Sequence, residues 1–147
     1  MPQHAPRPQA THNMIAKAAA VVAPKIDADA GTIAQYYCHP MDGFELCIEL
    51  VKSAYWEPSR DDMEALDEME VLVRKALREE QERWASEFDQ DQLAPEGSRI
   101  RCQTRDATGT VIGMGGPTSP GTYMVRPDHP VGNESWLVPW ELAEILA

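Results

Sequence analysis

The chain has 147 residues, enough for one compact domain or for a helical unit and a small second unit, and too few for a large enzyme scaffold. Its 24 Asp and Glu outnumber its 13 Lys and Arg, which gives a formal net charge of −11 at pH 7. Because proteins bind nucleic acid largely through Lys and Arg that neutralise phosphates, this charge disfavours direct binding of DNA or RNA. The excess charge either serves solubility alone or recognises a partner with a basic surface.

The three cysteines, Cys38, Cys47 and Cys102, are an odd number, and nothing near the N-terminus resembles a secretory signal. Reduced thiols and a cytoplasmic location are therefore expected. No run approaches the roughly 18 apolar residues of a membrane span, so we expect no membrane partner.

Residues 1–26 are predicted to form a flexible basic arm that allows a short helix over residues 14–23, ended by Pro24. Three prolines and scattered polar residues among the first thirteen cannot bury enough apolar surface to offset the entropy cost of ordering. The arm holds three basic residues and no acid, so it could fold back on the acidic remainder or reach an acidic partner.

An acidic helical hairpin is predicted over residues 27–92. Its first half is open to two interpretations, either a β-hairpin that pairs residues 32–38 with 44–51 or a helix over residues 43–56. The helix is favoured because Asp42 and Glu45 form a capping box and the apolar pattern continues past the usual length of a strand. The predicted core-facing stripe of this helix consists of Phe44, Cys47, Ile48, Val51 and Tyr55.

The second helix of the hairpin is predicted over residues 60–88, with Ser59 as its N-cap. Its predicted apolar stripe consists of Met63, Leu66, Val73, Leu77, Trp84 and Phe88, widened by Met69 and Ala76. Its outer face is acidic, because residues 61–91 hold twelve Asp and Glu against four Lys and Arg. A solvated negative face follows from this pattern.

After a linker at residues 93–97 the pattern changes to short strand-like runs over residues 99–104, 110–114, 123–126 and 135–138, followed by a terminal turn at 140–146. Short strands closed by a helical turn suit a small barrel.

Four segments carry a resemblance to a known family: GSRIR at 97–101, TGTVIG at 108–113, TYMV at 122–125 and WLVPWEL at 136–142. Their order resembles the small SH3-like barrels of the KOW type. The resemblance implies a barrel over residues 97–147 and a binding module for nucleic acid or protein. The basic residues available to such a module are Arg99, Arg101, Arg105 and Arg126. The predicted fold class is therefore α+β, an N-terminal acidic helical hairpin followed by a small SH3-like antiparallel β-barrel.

The sequence contains no strong combination of residues for metal binding or nucleophilic catalysis. Cys38 and Cys47 lack the spacing of two to four residues that zinc-binding pairs usually show, and the thiol of Cys47 falls on an apolar helix face. Asp128 and His129 are adjacent in a loop, which does not give the relay geometry of a catalytic triad with Ser119 or Ser135. No catalytic residue, metal or cofactor is assigned.

The sequence favours a non-enzymatic protein that binds a basic, nucleic-acid-binding surface of another protein, as a phage-type inhibitor such as an anti-CRISPR or anti-restriction protein does. The predicted partner-binding residues are Glu64, Asp67, Glu68, Glu79, Glu82, Tyr55 and Trp56. Two alternatives remain: a module that binds nucleic acid through the four arginines, and a small hydrolase that uses His129 or Cys47.

Overall fold

The computed structural model describes residues 5–146, which form two compact units. One unit comprises residues 8–79 and is built from helices. The other comprises residues 5–7 and 80–146 and contains a five-stranded antiparallel sheet. The order of helices followed by a sheet confirms the predicted α+β class. The predicted domain ranges, 1–26, 27–92 and 97–147, stay a prediction.

Five α-helices occur in the described residues: α1 His12–Val22, α2 Ala30–Tyr36, α3 Gly43–Ala54, α4 Arg60–Leu66 and α5 Glu68–Glu87. The first four begin at side-chain caps, because Thr11, Asp29, Asp42 and Ser59 each accept a hydrogen bond from a backbone N–H of the first turn. A short 3₁₀ turn over Ala23–Ile26 follows α1.

The N-terminal segment differs from the predicted flexible arm. Residues 12–26 are helical, and the small side chains of Ala18, Ala19 and Val22 are buried in the core of the helical unit. The predicted short helix is confirmed, because α1 ends at Val22 just before Pro24. Pro24 itself lies at the start of the 3₁₀ turn, where its missing N–H is not needed. The predicted flexibility of residues 1–4 lies outside the described residues.

The helix interpretation of residues 43–56 is confirmed by α3, but the predicted core-facing stripe is largely wrong. Leu46, Cys47 and Leu50 are buried, whereas 61% of Phe44 and 49% of Ile48 are exposed. The helix carries two apolar rows, and the core of this unit takes the row that contains both leucines.

The predicted single helix over residues 60–88 is interrupted at Asp67, between α4 and α5. Of its predicted stripe, Leu66 and Val73 are fully buried in the helical core, together with Met69. Leu77 is only half-buried. Trp84 and Phe88 are buried in the sheet-containing unit.

The sheet contains β1 Arg99–Cys102, β2 Ala107–Met114, β3 Thr122–Pro127, β4 Trp136–Pro139 and β5 Ala143–Ile145 in the order β4-β3-β2-β1-β5. The predicted closed barrel is wrong, because the sheet is open. Its edges β4 and β5 are only four and three residues long and do not pair with each other among the described residues. Closure would need strands long enough to tilt and stagger around an axis.

Candidate functional site

The strongest concentration of charge lies on α4 and the first turn of α5. We call residues 61–70 the acidic band, because they hold six carboxylates and no Lys or Arg: Asp61, Asp62, Glu64, Asp67, Glu68 and Glu70. The whole band belongs to the helical unit. It includes three of the predicted partner-binding residues.

Four of the six carboxylates in the acidic band have partners within the helical unit. Asp62 completes the capping box with Ser59 at the start of α4. Asp67 accepts a hydrogen bond of 2.6 Å from the backbone N–H of Gly43, the first residue of α3. The other two form ion pairs: Glu68 with Lys25 at 2.5 Å, and Glu70 with Arg74. Asp67, predicted to bind a partner, therefore helps to fix α3 against α4, whereas the ion pair of Glu68, also predicted to bind a partner, is half exposed and adds little stability.

The remaining two carboxylates face solvent. Asp61 is exposed and has no hydrogen bond or ion pair with any described residue. Glu64 lies 3.9 Å from Arg60, and both side chains are largely exposed, so this pair contributes little to stability. Asp61 and Glu64 are thus available to a partner without loss of the contacts that hold α4.

Glu79 and Glu82 lie outside the acidic band, on the second half of α5. Both are exposed, but the surrounding stretch 74–83 also holds four Lys and Arg, so its charge is mixed. Glu79 belongs to the helical unit and Glu82 to the sheet-containing unit. Glu79 and Glu82 thus lie in a stretch of mixed charge outside the acidic band.

The two predicted aromatic anchors differ in exposure. Tyr55 ends α3 in the left-handed conformation, with φ of 61°, and 88% of it is exposed. Trp56 is half-buried and packs against the helical core. Tyr55 is therefore the aromatic side chain of this turn that a partner can cover.

An apolar groove between α3 and α4 was not predicted. This α3–α4 groove has a volume of about 450 Å³ and is lined by Phe44, Cys47, Ile48, Val51, Lys52, Pro58, Ser59, Arg60 and Met63. The sequence does contain a signal for it. A helix with two apolar rows presents more apolar surface than one neighbouring layer can cover.

Cys47 and Asp128, which belong to the residue combinations examined for nucleophilic catalysis, lie in different environments. Burial raises the pKa of the Cys47 thiol, and the nearby Asp62 and Asp67 raise it further, which makes the reactive thiolate scarce. Hydrogen bonds from Arg99 and Thr108 hold the pKa of Asp128 far below its usual value. Asp128 therefore serves an exposed polar network around β1 and β2.

Two of the four candidate arginines are paired with acids. Arg99 binds Asp128 through both ends of its guanidinium, and Arg101 lies 3.8 Å from Glu144. The guanidinium of Arg105 packs 4.7 Å from the ring centre of Trp136. Because acids already neutralise Arg99 and Arg101, they offer less charge to phosphate than their number suggests.

Within residues 5–146, no group of three or more His, Cys, Asp and Glu side chains is placed to hold a metal ion. None of the helices in this described range combines the length and apolar character of a membrane span.

No protein-family model, no curated protein and no solved structure matches this chain. Its own charge and geometry are therefore what support a function.

Proposed function

We propose that the chain is a non-enzymatic protein that binds a basic surface of another protein through the acidic band. The observation that carries the proposal is the local charge of residues 61–70, which hold six carboxylates without one basic residue. Asp61 and Glu64 supply the most available charges, since Asp61 is unpaired, Glu64 has only a loose exposed contact with Arg60, and the other four carboxylates have closer partners in the helical unit.

Tyr55 supplies the anchor. Long-range attraction between opposite charges raises the rate of association, whereas lasting affinity at protein interfaces comes from a few residues, often Tyr, Trp or Arg. Tyr55 is exposed and is the first residue of the connection 55–59 between α3 and α4. Its backbone is fixed by a hydrogen bond from the Tyr55 N–H to the carbonyl of Leu50.

The partner is a nucleic-acid-binding protein, because carboxylates that follow one another along a helix offer such a protein negative charge in place of phosphates. The chain then acts as a competitive inhibitor of phage type, comparable in role to anti-CRISPR or anti-restriction proteins. Competition with nucleic acid is the property that separates this function from simple adhesion of opposite charges.

The proposal is tested by capture from a bacterial lysate with matched variants. Asp61→Lys/Glu64→Lys reverses the free charges of the band, and Glu87→Lys/Glu96→Lys makes the same change in net charge at exposed positions outside it. The parent and the second variant should retain the same nucleic-acid-binding protein, duplex DNA should displace it, and the band variant should lose it. Equal capture by both variants, or equal loss, would refute the proposal.

The two alternatives give different results in the same series. Salt-sensitive binding of bare DNA or RNA by the chain, lost in Arg126→Ala, would favour the arginine-rich sheet as a nucleic-acid module. Turnover of a substrate, lost when His129 or Cys47 is replaced, would favour a hydrolase.

A further inference from the structure

The α3–α4 groove leaves a contiguous apolar surface exposed in the helical unit. Phe44, Ile48 and Val51 lie along one face of α3, and Met63 of α4 lines the opposite wall. Exposed fractions are 61% for Phe44 and 49% each for Ile48 and Val51. Single exposed apolar residues are common on proteins, but a contiguous apolar surface usually marks a site of protein association.

Opposite charges flank the exposed apolar row of α3. Glu45 lies beside Phe44 at the start of the helix, and Lys52 lies beside Val51 near its end. They are seven residues apart, about two helical turns or roughly 10 Å along the axis, and with Ile48 they share one side of the helix. Both are exposed, and neither forms an ion pair with a described residue.

This pattern is complementary to itself. When two α3 helices cross antiparallel with Ile48 against Ile48, Glu45 of each copy comes next to Lys52 of the other copy. Such an arrangement is the geometry of a two-fold interface, in which the same surface is used by both molecules. The apolar rows then cover each other, and both free charges gain a partner.

We propose that the α3–α4 groove is the interface between two copies of this chain, packed through antiparallel α3 helices. The groove suits an acidic partner rather than the basic one proposed for the acidic band, because Lys52 and Arg60 line its walls. The net charge of −11 opposes self-association at low salt. At physiological ionic strength, charges farther apart than about 8 Å are largely screened, so the local contacts decide the outcome.

The first test is sedimentation of the full chain over a wide concentration series, up to the millimolar range, at about 0.15 M salt. The parent should dimerise, and Ile48→Glu should weaken the dimer about tenfold or more because it buries a charge at the two-fold centre. Val71→Glu is the control, since Val71 is an apolar residue of α5 that is 59% exposed and does not line the groove. It should dimerise like the parent, and circular dichroism should show both variants folded.

The second test is an exchange of charges. Lys52→Glu alone leaves only acids at both ends of the row, and Glu45→Lys alone leaves only bases, so each variant should be monomeric. An equimolar mixture should form a heterodimer, because every end then meets the opposite charge.

Three results would overturn the proposal: a parent that stays monomeric through the series, a dimer that survives Ile48→Glu, and a mixture of the two charge variants that remains monomeric. A monomeric parent whose captured partner is lost in Ile48→Glu would assign the groove to a different protein. If Asp61→Lys/Glu64→Lys loses the captured partner but still dimerises, the proposed dimer interface is unaffected. The two proposals can therefore be refuted independently of each other.

Discussion

Gly43 shows how closely two helices of the helical unit approach. A Cβ atom at this position would lie 2.4 Å from the carbonyl oxygen of Met63 and 2.7 Å from the backbone nitrogen of Asp67. The backbone N–H of Gly43 also donates to the carboxylate of Asp67. The start of α3 is therefore fixed against the end of α4, where a side chain has no room.

Replacing Gly43 by alanine should lower the free energy of unfolding by about 1 to 3 kcal/mol, because overpacking against backbone atoms outweighs the higher helix propensity of alanine. Denaturant titration measures the change. Gly116→Ala is the matched control, since a Cβ there meets no atom within 4 Å, and it should change stability by less than about 0.5 kcal/mol. Equal midpoints for the two variants would show that α3 and α4 do not approach so closely.

Like Gly43, Arg7 makes several long-range contacts. Its guanidinium binds Glu141 at 2.6 Å, donates to the carbonyl oxygens of Pro120 and Gly121, and lies 4.6 Å from the ring centre of Trp84. Only 14% of its side chain is exposed. Arg7 thus ties the N-terminal residues of the sheet-containing unit to the turn before β3.

Arg7→Ala should cost about 1.5 to 3 kcal/mol of stability, because hydrogen bonds to a charged group are lost and the carbonyl groups of Pro120 and Gly121 each lose one donor. Arg7→Lys should restore little of it, since an ammonium group cannot reproduce the planar fork of the guanidinium. Thermal unfolding is the measurement, and Arg83→Ala, which removes an exposed pair with Glu80, is the control and should cost less than about 1 kcal/mol. A loss no larger than that of the control would mean that the Arg7 contacts are not formed in solution.

Neither role could be read from the sequence. Gly43 and Asp67 are 24 residues apart, and Arg7 and Glu141 are 134 apart. Local patterns report caps, periodicity and turns, whereas these contacts depend on which segments meet. The same limit explains why the contacts of Asp67 and Glu68 within the helical unit were not predicted, while their role in partner binding stays a prediction.

The helices and strands were predictable where their signals are local. Asp42 and Ser59 cap α3 and α4 at the predicted positions, and β1 to β4 overlap the four predicted strand-like runs. Strand β5 was not predicted, because residues 143–145 lie within the predicted terminal turn. Helix α2 was not predicted, because it has only seven residues and its Thr, Ile and Tyr also suit a strand. Strand closure was not predictable either, since it depends on the pairing of the two edges.

The two apolar rows of α3 should respond differently to truncation. Leu50 is fully buried, so Leu50→Ala should lower the free energy of unfolding by about 2 to 5 kcal/mol. Ile48 is half exposed, and Ile48→Ala should cost less than about 1 kcal/mol at dilute concentration. Denaturant titrations of both variants make the comparison. A larger loss for Ile48→Ala would place that row in the core, as the sequence pattern predicted, and would remove the groove.

At the scale of the whole molecule, the net charge of −11 is distributed unevenly. The sequence indicated residues 61–91 as the acidic region, and the structure separates this region into parts with different roles. Asp62, Asp67, Glu68 and Glu70 have partners within the helical unit, whereas the stretch 74–83 has mixed charge. Asp61 is unpaired and Glu64 has only an exposed contact with Arg60 at 3.9 Å, a difference that sequence counting cannot show.

The central claim is that this free charge binds a basic protein surface. Its most direct test is calorimetric titration of the captured partner at about 0.05 M and about 0.5 M salt, where the screening length differs roughly threefold. The affinity of the parent and of Glu87→Lys/Glu96→Lys should fall steeply with salt, while Asp61→Lys/Glu64→Lys should bind weakly under both conditions. Binding that is insensitive to salt and survives reversal of Asp61 and Glu64 would contradict the claim and leave the acidic band a solubilising surface.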